Sequence, residues 1–247
     1  MEKHNARIKA GKTALGMAVF SFIFFSSVLM SCAYADITTG LMGRWSFDEG
    51  TGTAAADASG NGNTATVSNA AWSSSGKVNG ALDFNGSNSY VDVAANTALN
   101  DLQSFTYTAW VNMRTLGEGA YKGVIVIKNG VKTLGLTDSI GNQFFGSTLT
   151  SSVNAAAVSP ANTITFNNWI MLTFTYDNST KLAAIYLNGL RIVFSAGAGS
   201  LQSDAAQVFR IGKLRCPVGL FVGKGLHDLG YKAKDPLALP PSRNRID

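Results

Sequence analysis

The stretch from Gly40 to Val93 decides the fold and reads GLMGRWSFDEGTGTAAADASGNGNTATVSNAAWSSSGKVNGALDFNGSNSYVDV. Short runs that alternate between apolar and polar residues are separated by turns rich in Asn, Asp, Gly and Ser. Alternation with a period of two places one face of each run in a core and the other in solvent. Frequent turn signals between short runs are typical of a β-sandwich. The stretch therefore predicts an all-β domain made of two packed antiparallel sheets.

The same pattern continues to residue 212. Between residues 105 and 112, apolar side chains alternate with Thr106, Thr108, Trp110 and Asn112. Asn-Gly pairs occur five times, and they suit hairpin turns because both residue types tolerate positive φ. The strongest hairpin signal is Asn188-Gly189. The predicted strands are Leu41–Phe47, Thr64–Ser68, Ala81–Phe84, Tyr90–Val93, Phe105–Asn112, Gly123–Lys128, Lys132–Leu136, Gln143–Ser147, Trp169–Tyr176, Leu182–Asn188, Leu190–Ser195 and Gln207–Gly212.

Several motifs follow one another in order along residues 40–213. They are LMGRWSFDEG (41–50), DASGNGN (57–63), GKVNGALDFNGS (76–87), YVDV (90–93), FTYTAWV (105–111), WIMLTFTY (169–176) and IYLNG (185–189). The series resembles a LamG-like jellyroll domain, one branch of the concanavalin A-like lectin/glucanase superfamily. The resemblance implies a two-sheet jellyroll sandwich that binds a ligand and carries out no catalysis.

The end of the chain departs from this resemblance. The family closes with a strand similar to F-x-G-x-I-D-D-V-R-I-Y-N-R-A-L-S, whereas residues 214–247 read LRCPVGLFVGKGLHDLGYKAKDPLALPPSRNRID. We therefore predict a jellyroll domain over residues 36–213 and a divergent tail over residues 214–247. The tail is interpreted either as unpaired chain or as a degraded last strand.

Residues 1–35 have the pattern of a secretory signal peptide. Four Lys and Arg residues precede an apolar run from about Met17 to Met30, and Ala33-Tyr34-Ala35 supplies a cleavage site. A membrane span needs about 20 residues, and this run is shorter. We therefore expect cleavage after Ala35 and no membrane span in the mature chain. The expected location is secreted, periplasmic or in the cell envelope. Lipidation of Cys32, within a weak lipobox, is the alternative.

The net charge of +5 comes from the two ends of the chain. Residues 1–35 contribute four basic and one acidic residue, and residues 214–247 contribute six and three, which gives +3 for each segment. Residues 36–213 hold ten basic and eleven acidic residues, hence −1. A nearly neutral domain lacks the basic stripe that a phosphate backbone requires, so nucleic acid is not an expected partner. Cys216 is the only cysteine after cleavage, so no intrachain disulfide is expected.

The turn from Asp57 to Asn63 is a candidate calcium site. Calcium prefers six to eight hard oxygen ligands, which side chains at alternating positions of a tight loop can supply. An EF-hand is excluded because Ser68 replaces the Glu expected at its twelfth position. The resemblance implies the ligands Asp57, Asn61 and Asn63, assisted by Asp48 and closed by Asp228. The alternative is a turn that uses Asn, Asp and Gly only for their backbone conformations.

Catalytic patterns are missing from the expected mature chain. Glycosidases need a pair of carboxylates, and the glucanases of the superfamily carry them as Glu-x-Asp-x-x-Glu on one strand. Glu49 and Glu118 are the only glutamates after residue 35, and both lie in turns. His227 is the only histidine there, which leaves little for a Ser-His-Asp or metal-hydrolase site. We therefore predict that the protein is not an enzyme and has no catalytic residues.

Four tryptophans could stack on sugar rings. Trp45, Trp110 and Trp169 lie in predicted strands among apolar residues and are interpreted as core residues. Trp72 lies in the polar segment from residue 69 to 76 and is the predicted ligand-binding residue. The sequence thus indicates a secreted, non-catalytic module that binds a glycan or a glycosylated surface, with one loop calcium ion. The alternatives are a protein-interaction or adhesion domain of the cell envelope, and a fragment of a larger modular glycoside-active enzyme.

Overall fold

The computed structural model describes residues 39–116, 123–128, 130–137, 142–205, 207–212 and 217–223. The strands are β1 (Leu41–Trp45), β2 (Ala54–Ala55), β3 (Ala65–Ser68), β4 (Ala71–Ser73), β5 (Ala81–Asp83), β6 (Tyr90–Val93), β7 (Phe105–Asn112), β8 (Val124–Lys128), β9 (Lys132–Thr137), β10 (Gln143–Thr148), β11 (Ala155–Val158), β12 (Trp169–Asp177), β13 (Leu182–Leu187), β14 (Leu190–Ala196), β15 (Phe209–Ile211) and β16 (Pro217–Gly223). A short 3-10 helix, Thr97–Leu99, precedes β7. No helix among these residues is long and apolar enough to cross a membrane.

The described strands form two eight-stranded antiparallel sheets. Sheet A has the order β14-β13-β12-β7-β16-β5-β4, and β1 pairs with another part of β16. Sheet B has the order β11-β10-β9-β8-β15-β6-β3-β2. This arrangement confirms the predicted all-β jellyroll sandwich.

Aromatic and branched side chains of the two inner faces form one core. The Trp45 ring stacks on that of Phe209 with centroids 5.8 Å apart, which links sheet A to sheet B. The ring centroids of Phe105 and Tyr107 lie 4.8 Å apart, because the two residues are neighbours on the same face of β7. Large buried aromatics dominate the packing energy of such a core. The largest fully buried ones are Trp45, Phe47, Phe84, Phe105, Tyr107, Phe144, Phe174, Tyr176 and Phe209.

Hairpin geometry follows the Asn-Gly signal most closely at Asn188-Gly189. These residues have φ of 48° and 83°, as a type I′ turn requires, and they connect β13 to β14. At Asn79-Gly80 only the asparagine has positive φ. Asn129 lies outside the described residues.

Every predicted strand is present, with boundaries that agree to within two residues, and four strands are additional. β11 lies at the edge of sheet B. β2 and β4 are only two and three residues long. β16 lies beyond residue 213, the predicted end of the domain, and pairs with β7, β5 and β1. The described part of the last predicted segment is therefore paired chain in the middle of sheet A.

Candidate functional site

The carboxylate of Asp57 fastens its turn to β1. Its Oδ1 accepts hydrogen bonds from the backbone N–H groups of Arg44 at 3.0 Å and Ser59 at 2.8 Å. Its Oδ2 accepts from the N–H of Asn63 at 2.9 Å. Burial alone would raise the pKa of Asp57, but these hydrogen bonds, together with one from the Ser59 side chain, lower it below the usual value. The residue is therefore ionised at neutral pH and organises the turn.

Asn61 and Asn63 converge on backbone carbonyls of β1. The Asn61 amide nitrogen lies 2.8 Å from the Leu41 oxygen, and the Asn63 amide nitrogen lies 2.7 Å from the Met42 oxygen. Asn63 is buried, and its backbone carbonyl accepts a hydrogen bond from Trp45 Nε1 at 2.8 Å. Asn63 Oδ1 is buried without a hydrogen-bond donor among the described residues. The structure thus brings three of the predicted calcium ligands together, beside main-chain oxygens that sequence reasoning did not include.

Asp48, a further predicted calcium ligand, has no hydrogen bond with this turn among the described residues. Asp48 Oδ1 accepts a hydrogen bond from the Gly80 N–H at 2.7 Å, and its Oδ2 lies 3.5 Å from Asn79 Nδ2. Asp228 lies outside the described residues. Within the described ranges, no group of three or more His, Cys, Asp or Glu side chains is placed to hold a metal ion. Oxygens from amides and the main chain would therefore have to complete any calcium site here.

Trp72 lies in β4 opposite Leu82, and not in a polar loop. Its side chain is half-buried and packs against the core, and its Nε1 donates to the Gly52 carbonyl at 2.9 Å. The residue also lines an open cleft together with Asp48 and Asn79. One side of the indole is therefore held by the fold, while another borders solvent.

A second cleft on sheet A contains two further tryptophans. Trp110 on β7 and Trp169 on β12 are half-buried and line it together with Lys77, whose Nζ lies 5.2 Å from the centroid of the Trp110 ring. Trp169 is paired with Asn112, so the two indoles are diagonal neighbours on one sheet face. The interpretation of Trp110 and Trp169 as core residues is wrong, whereas Trp45, with an exposed fraction of 0%, is a core residue. The available signal was that Trp110 shares a face of its strand with threonines and Asn112.

Gly80 lies where the two clefts meet. Both clefts are lined by Asp48, Asn79 and Gly80. A Cβ atom on Gly80 would lie 2.3 Å from the Phe47 carbonyl oxygen and 3.1 Å from Asp48 Oδ1. The close approach of the two loops therefore requires glycine at this position. The backbone N–H of Gly80 holds the Asp48 carboxylate at the boundary between the two aromatic clefts.

Known structures share this fold at low sequence identity. The binding domain of Paraclostridial Mosquitocidal Protein 1 aligns with a TM-score of 0.62 and 16% identity, over 78% of this chain and 51% of that one. Domain 4 of AbnA, a GH43 extracellular arabinanase from Geobacillus stearothermophilus, was solved in complex with arabinotriose. It aligns with a TM-score of 0.56 and 16% identity, over 75% of this chain and 92% of that one. The botulinum neurotoxin serotype D binding domain aligns with a TM-score of 0.56 and 11% identity, over 76% of this chain and 49% of that one. This chain thus spans about half the length of the two toxin domains.

No curated protein matches this chain. A family model described as the concanavalin A-like lectin/glucanases superfamily, Laminin_G_3, matches residues 85–224. The match extends past residue 213 and includes β16. The chain belongs to the Laminin_G_3 family of the concanavalin A-like lectin/glucanases superfamily.

Proposed function

We propose that this protein is a non-catalytic carbohydrate-binding module that acts outside the cytoplasm. The observation that carries the proposal is the cleft with Trp110 and Trp169, in which two indoles on one sheet face border solvent. Domain 4 of AbnA was solved in complex with arabinotriose, and the two toxin domains are binding domains. These relatives support a binding role for the same fold here. Removal of residues 1–35 would release the module, and N-terminal sequencing of exported protein should start at Asp36.

The cleft offers both kinds of contact that a sugar ring needs. The C–H face of a pyranose or furanose is apolar and can lie on an indole, which buries apolar surface on both partners. Asp48 and Asn79 at the cleft wall present oxygen and nitrogen atoms to hydroxyl groups. Ligand sites commonly combine aromatic walls with a few polar groups that set orientation. Lys77 beside Trp110 adds a positive charge, which favours glycans that carry carboxylate or sulfate groups.

Replacing Trp110 by Ala should weaken glycan binding by tenfold or more. Truncation of a central aromatic anchor commonly costs about 2 kcal/mol or more, and about 1.4 kcal/mol is a factor of ten. Trp169→Ala should have a similar effect because its indole lines the same cleft. A glycan array with the purified chain, followed by calorimetry on the strongest ligand, measures the loss. Arabinotriose and an acidic oligosaccharide should be among the probes.

Phe194→Ala is a matched control, because Phe194 is also an exposed aromatic of sheet A, with an exposed fraction of 56%, but does not line either cleft. It should leave affinity unchanged. If Trp72→Ala abolishes binding while Trp110→Ala and Trp169→Ala do not, the glycan site is the neighbouring cleft that Trp72 lines. A silent array together with capture of a cell-envelope protein would contradict the proposal and favour an adhesion domain.

We also propose that calcium binds at the turn formed by Asp57, Asn61 and Asn63. The buried, unpartnered Asn63 Oδ1 supports this proposal, since a cation would satisfy an oxygen that the described protein atoms do not. Rotation of the Asn61 amide would direct a second amide oxygen towards the Leu41 and Met42 carbonyls. Asp48 is left out because its carboxylate accepts hydrogen bonds from Gly80 and Asn79, which lie outside the turn, and has none with the turn among the described residues. With one carboxylate, the site should be weak, with a Kd of about 10⁻⁴ to 10⁻³ M.

Calcium at about 10 mM should therefore stabilise the protein by about 1 to 3 kcal/mol, which raises the melting temperature by several degrees. Scanning calorimetry with calcium, with magnesium and with chelator measures the shift. Asp57→Asn should remove it, whereas Asp48→Asn should keep it. An unchanged melting temperature in calcium and chelator would show that the turn is purely structural.

A further inference from the structure

Three charged side chains are buried together beside the turn between β8 and β9. Lys128, Lys132 and Asp204 have exposed fractions of 1%, 1% and 0%. Lys128 Nζ lies 3.3 Å from Asp204 Oδ1, and Lys132 Nζ lies 2.6 Å from Asp204 Oδ2. The lysines begin and end the turn between β8 and β9, and Asp204 lies in the segment before β15. A cluster this costly to bury needs a chemical or structural reason.

A carboxamide completes the cluster. Asn100 follows the 3-10 helix, and its Oδ1 lies 2.8 Å from Lys128 Nζ. The Leu99 carbonyl also accepts a hydrogen bond from Lys128. Because a carbonyl bond is about 1.23 Å long, Cγ of Asn100 lies no more than about 4 Å from Nζ. The Lys128 amine is thus in contact with both a carboxamide and a carboxylate.

The charges in this cluster do not balance if both lysines are protonated. Among the described residues, Asp204 is the one buried carboxylate beside the two ammonium groups. The exposed Asp101 carboxylate adds a second negative charge, which solvent screens and which also favours the charged form of Lys128. Burial lowers the pKa of Lys128, although the neighbouring Asp204 favours its charged form. Lys132 pairs with Asp204, and its Nζ also lies 5.1 Å from the centroid of the Phe105 ring. A neutral Lys128 beside a charged Lys132–Asp204 pair is the state that balances the charge, and a neutral amine is a nucleophile.

The interior around the cluster is also apolar. Tyr107 is buried, and its burial, followed by the nearby Asp204, raises its pKa well above the usual value. Asp204 is held in place from the other side by the N–H of Asp101, 2.7 Å from its Oδ1. Excluding water protects an amine and a carboxamide from hydration and holds them at a fixed separation.

We propose that Lys128 and Asn100 form an intramolecular isopeptide cross-link, and that Asp204 moves the proton in this reaction. The Lys128 ammonium first loses one proton to solvent. The lone pair of Nζ then attacks Cγ of Asn100, and a C–N bond forms. Asp204 accepts a proton from Nζ and passes it to Nδ2 of Asn100. The Cγ–Nδ2 bond breaks and ammonia leaves, so the product is a secondary amide, and no oxidant or cofactor is consumed.

The cross-link would join the segment before β7 to the end of β8. Asn100 lies in the connection from β6 of sheet B to β7 of sheet A, and Lys128 ends β8 of sheet B. A covalent bond between them would restrict the unfolded chain, as a disulfide does. It would give this chain, which has a single cysteine after residue 35, a staple that needs no oxidising conditions. The inference is independent of the glycan and calcium proposals.

Peptide mapping of the wild-type protein tests the proposal directly. Trypsin should release residues 78–114 joined to residues 123–132, with no cleavage after Lys128, because its Nζ would be acylated. The mass of the joined peptide should equal the summed masses of residues 78–114 and residues 123–132 minus the mass of one ammonia. Fragmentation should place the bond between Asn100 and Lys128. Separate, unmodified peptides after prolonged incubation of the folded protein at neutral pH would overturn the proposal.

Variants assign the roles. Asn100→Ala removes the electrophile but keeps the Lys128–Asp204 pair, and the joined peptide should disappear. Asp204→Asn should slow its formation by at least tenfold. Asn96→Ala is the control, since Asn96 caps the same 3-10 helix through a hydrogen bond with Ala98, and its joined peptide should persist. A joined peptide that persists in Asn100→Ala, or one that has lost water and links Lys132 to Asp204, would also overturn the proposal.

Discussion

Removing residues 214–247 is expected to abolish folding of the domain. The deletion takes away β16, which runs through the middle of sheet A. Residues Val218–Gly223 pair with β7, four residues of β1 pair with its second half, and β5 pairs with its first two residues. Without β16, the edge of β7 and those of β1 and β5 would face a gap with unpaired N–H and C=O groups, which are costly to bury. Sheet A would be separated into three parts, which are β14-β13-β12-β7, β5-β4 and β1 alone.

A chain that ends after residue 224 is the matched control. It retains every strand pairing of the described residues and the full extent of the family match. We expect this shorter truncation to express in soluble form and unfold cooperatively, whereas the longer deletion should be insoluble or lack a thermal transition. Circular dichroism and size-exclusion chromatography distinguish the two. A cooperative transition at the same temperature in both truncations would show that β16 contributes nothing to the sheet.

The architecture was predictable because most strands carry their own signal. β7 alternates in sequence, and its burial alternates from Tyr107 to Asn112. The Asn188-Gly189 turn has the backbone that its residues favour. β16 lacks such a signal, since Pro217, Gly219 and Gly223 interrupt its alternation. Its strand structure depends on partners on both sides, which lie more than a hundred residues earlier for β7, β5 and β1. Pairing at that distance cannot be inferred from local propensity.

The candidate sites divide in the same way. Asp57, Asn61 and Asn63 lie within one turn, and the family resemblance together with this short spacing predicts that they lie close together. The cleft of Trp110 and Trp169 depends on the register between β7 and β12, in which Trp169 is opposite Asn112. That register is a property of the sheet, and an indole on a strand is equally suited to a core or to an open face until the register is known. The buried cluster of Lys128, Lys132 and Asp204 left no motif at all, because its members come from distant segments.

Replacing Asp204 by Ala is expected to cost about 3 to 5 kcal/mol of folding free energy. That is the usual effect of removing one partner of a buried ion pair, because the remaining charge stays buried without compensation. Here two lysines would lose their carboxylate, and the Asp101 N–H would lose its acceptor. Since domains are commonly stable by only about 5 to 15 kcal/mol, the variant should be near the limit of folding. Urea denaturation at neutral pH measures the loss.

The measurement is cleanest in an Asn100→Ala background, where the proposed cross-link cannot form and only the ion pairs are compared. Asp92→Ala is the control, because Asp92 pairs with Arg210 through two short contacts of 2.6 and 2.7 Å at a partly exposed site. Its loss should cost about 1 kcal/mol or less, as is usual for exposed pairs. Adding Lys132→Met to Asp204→Ala should recover part of the stability, since one uncompensated charge is removed. If Asp204→Ala costs no more than Asp92→Ala, the lysines reach water, and both the buried ion cluster and the neutral Lys128 would have to be abandoned.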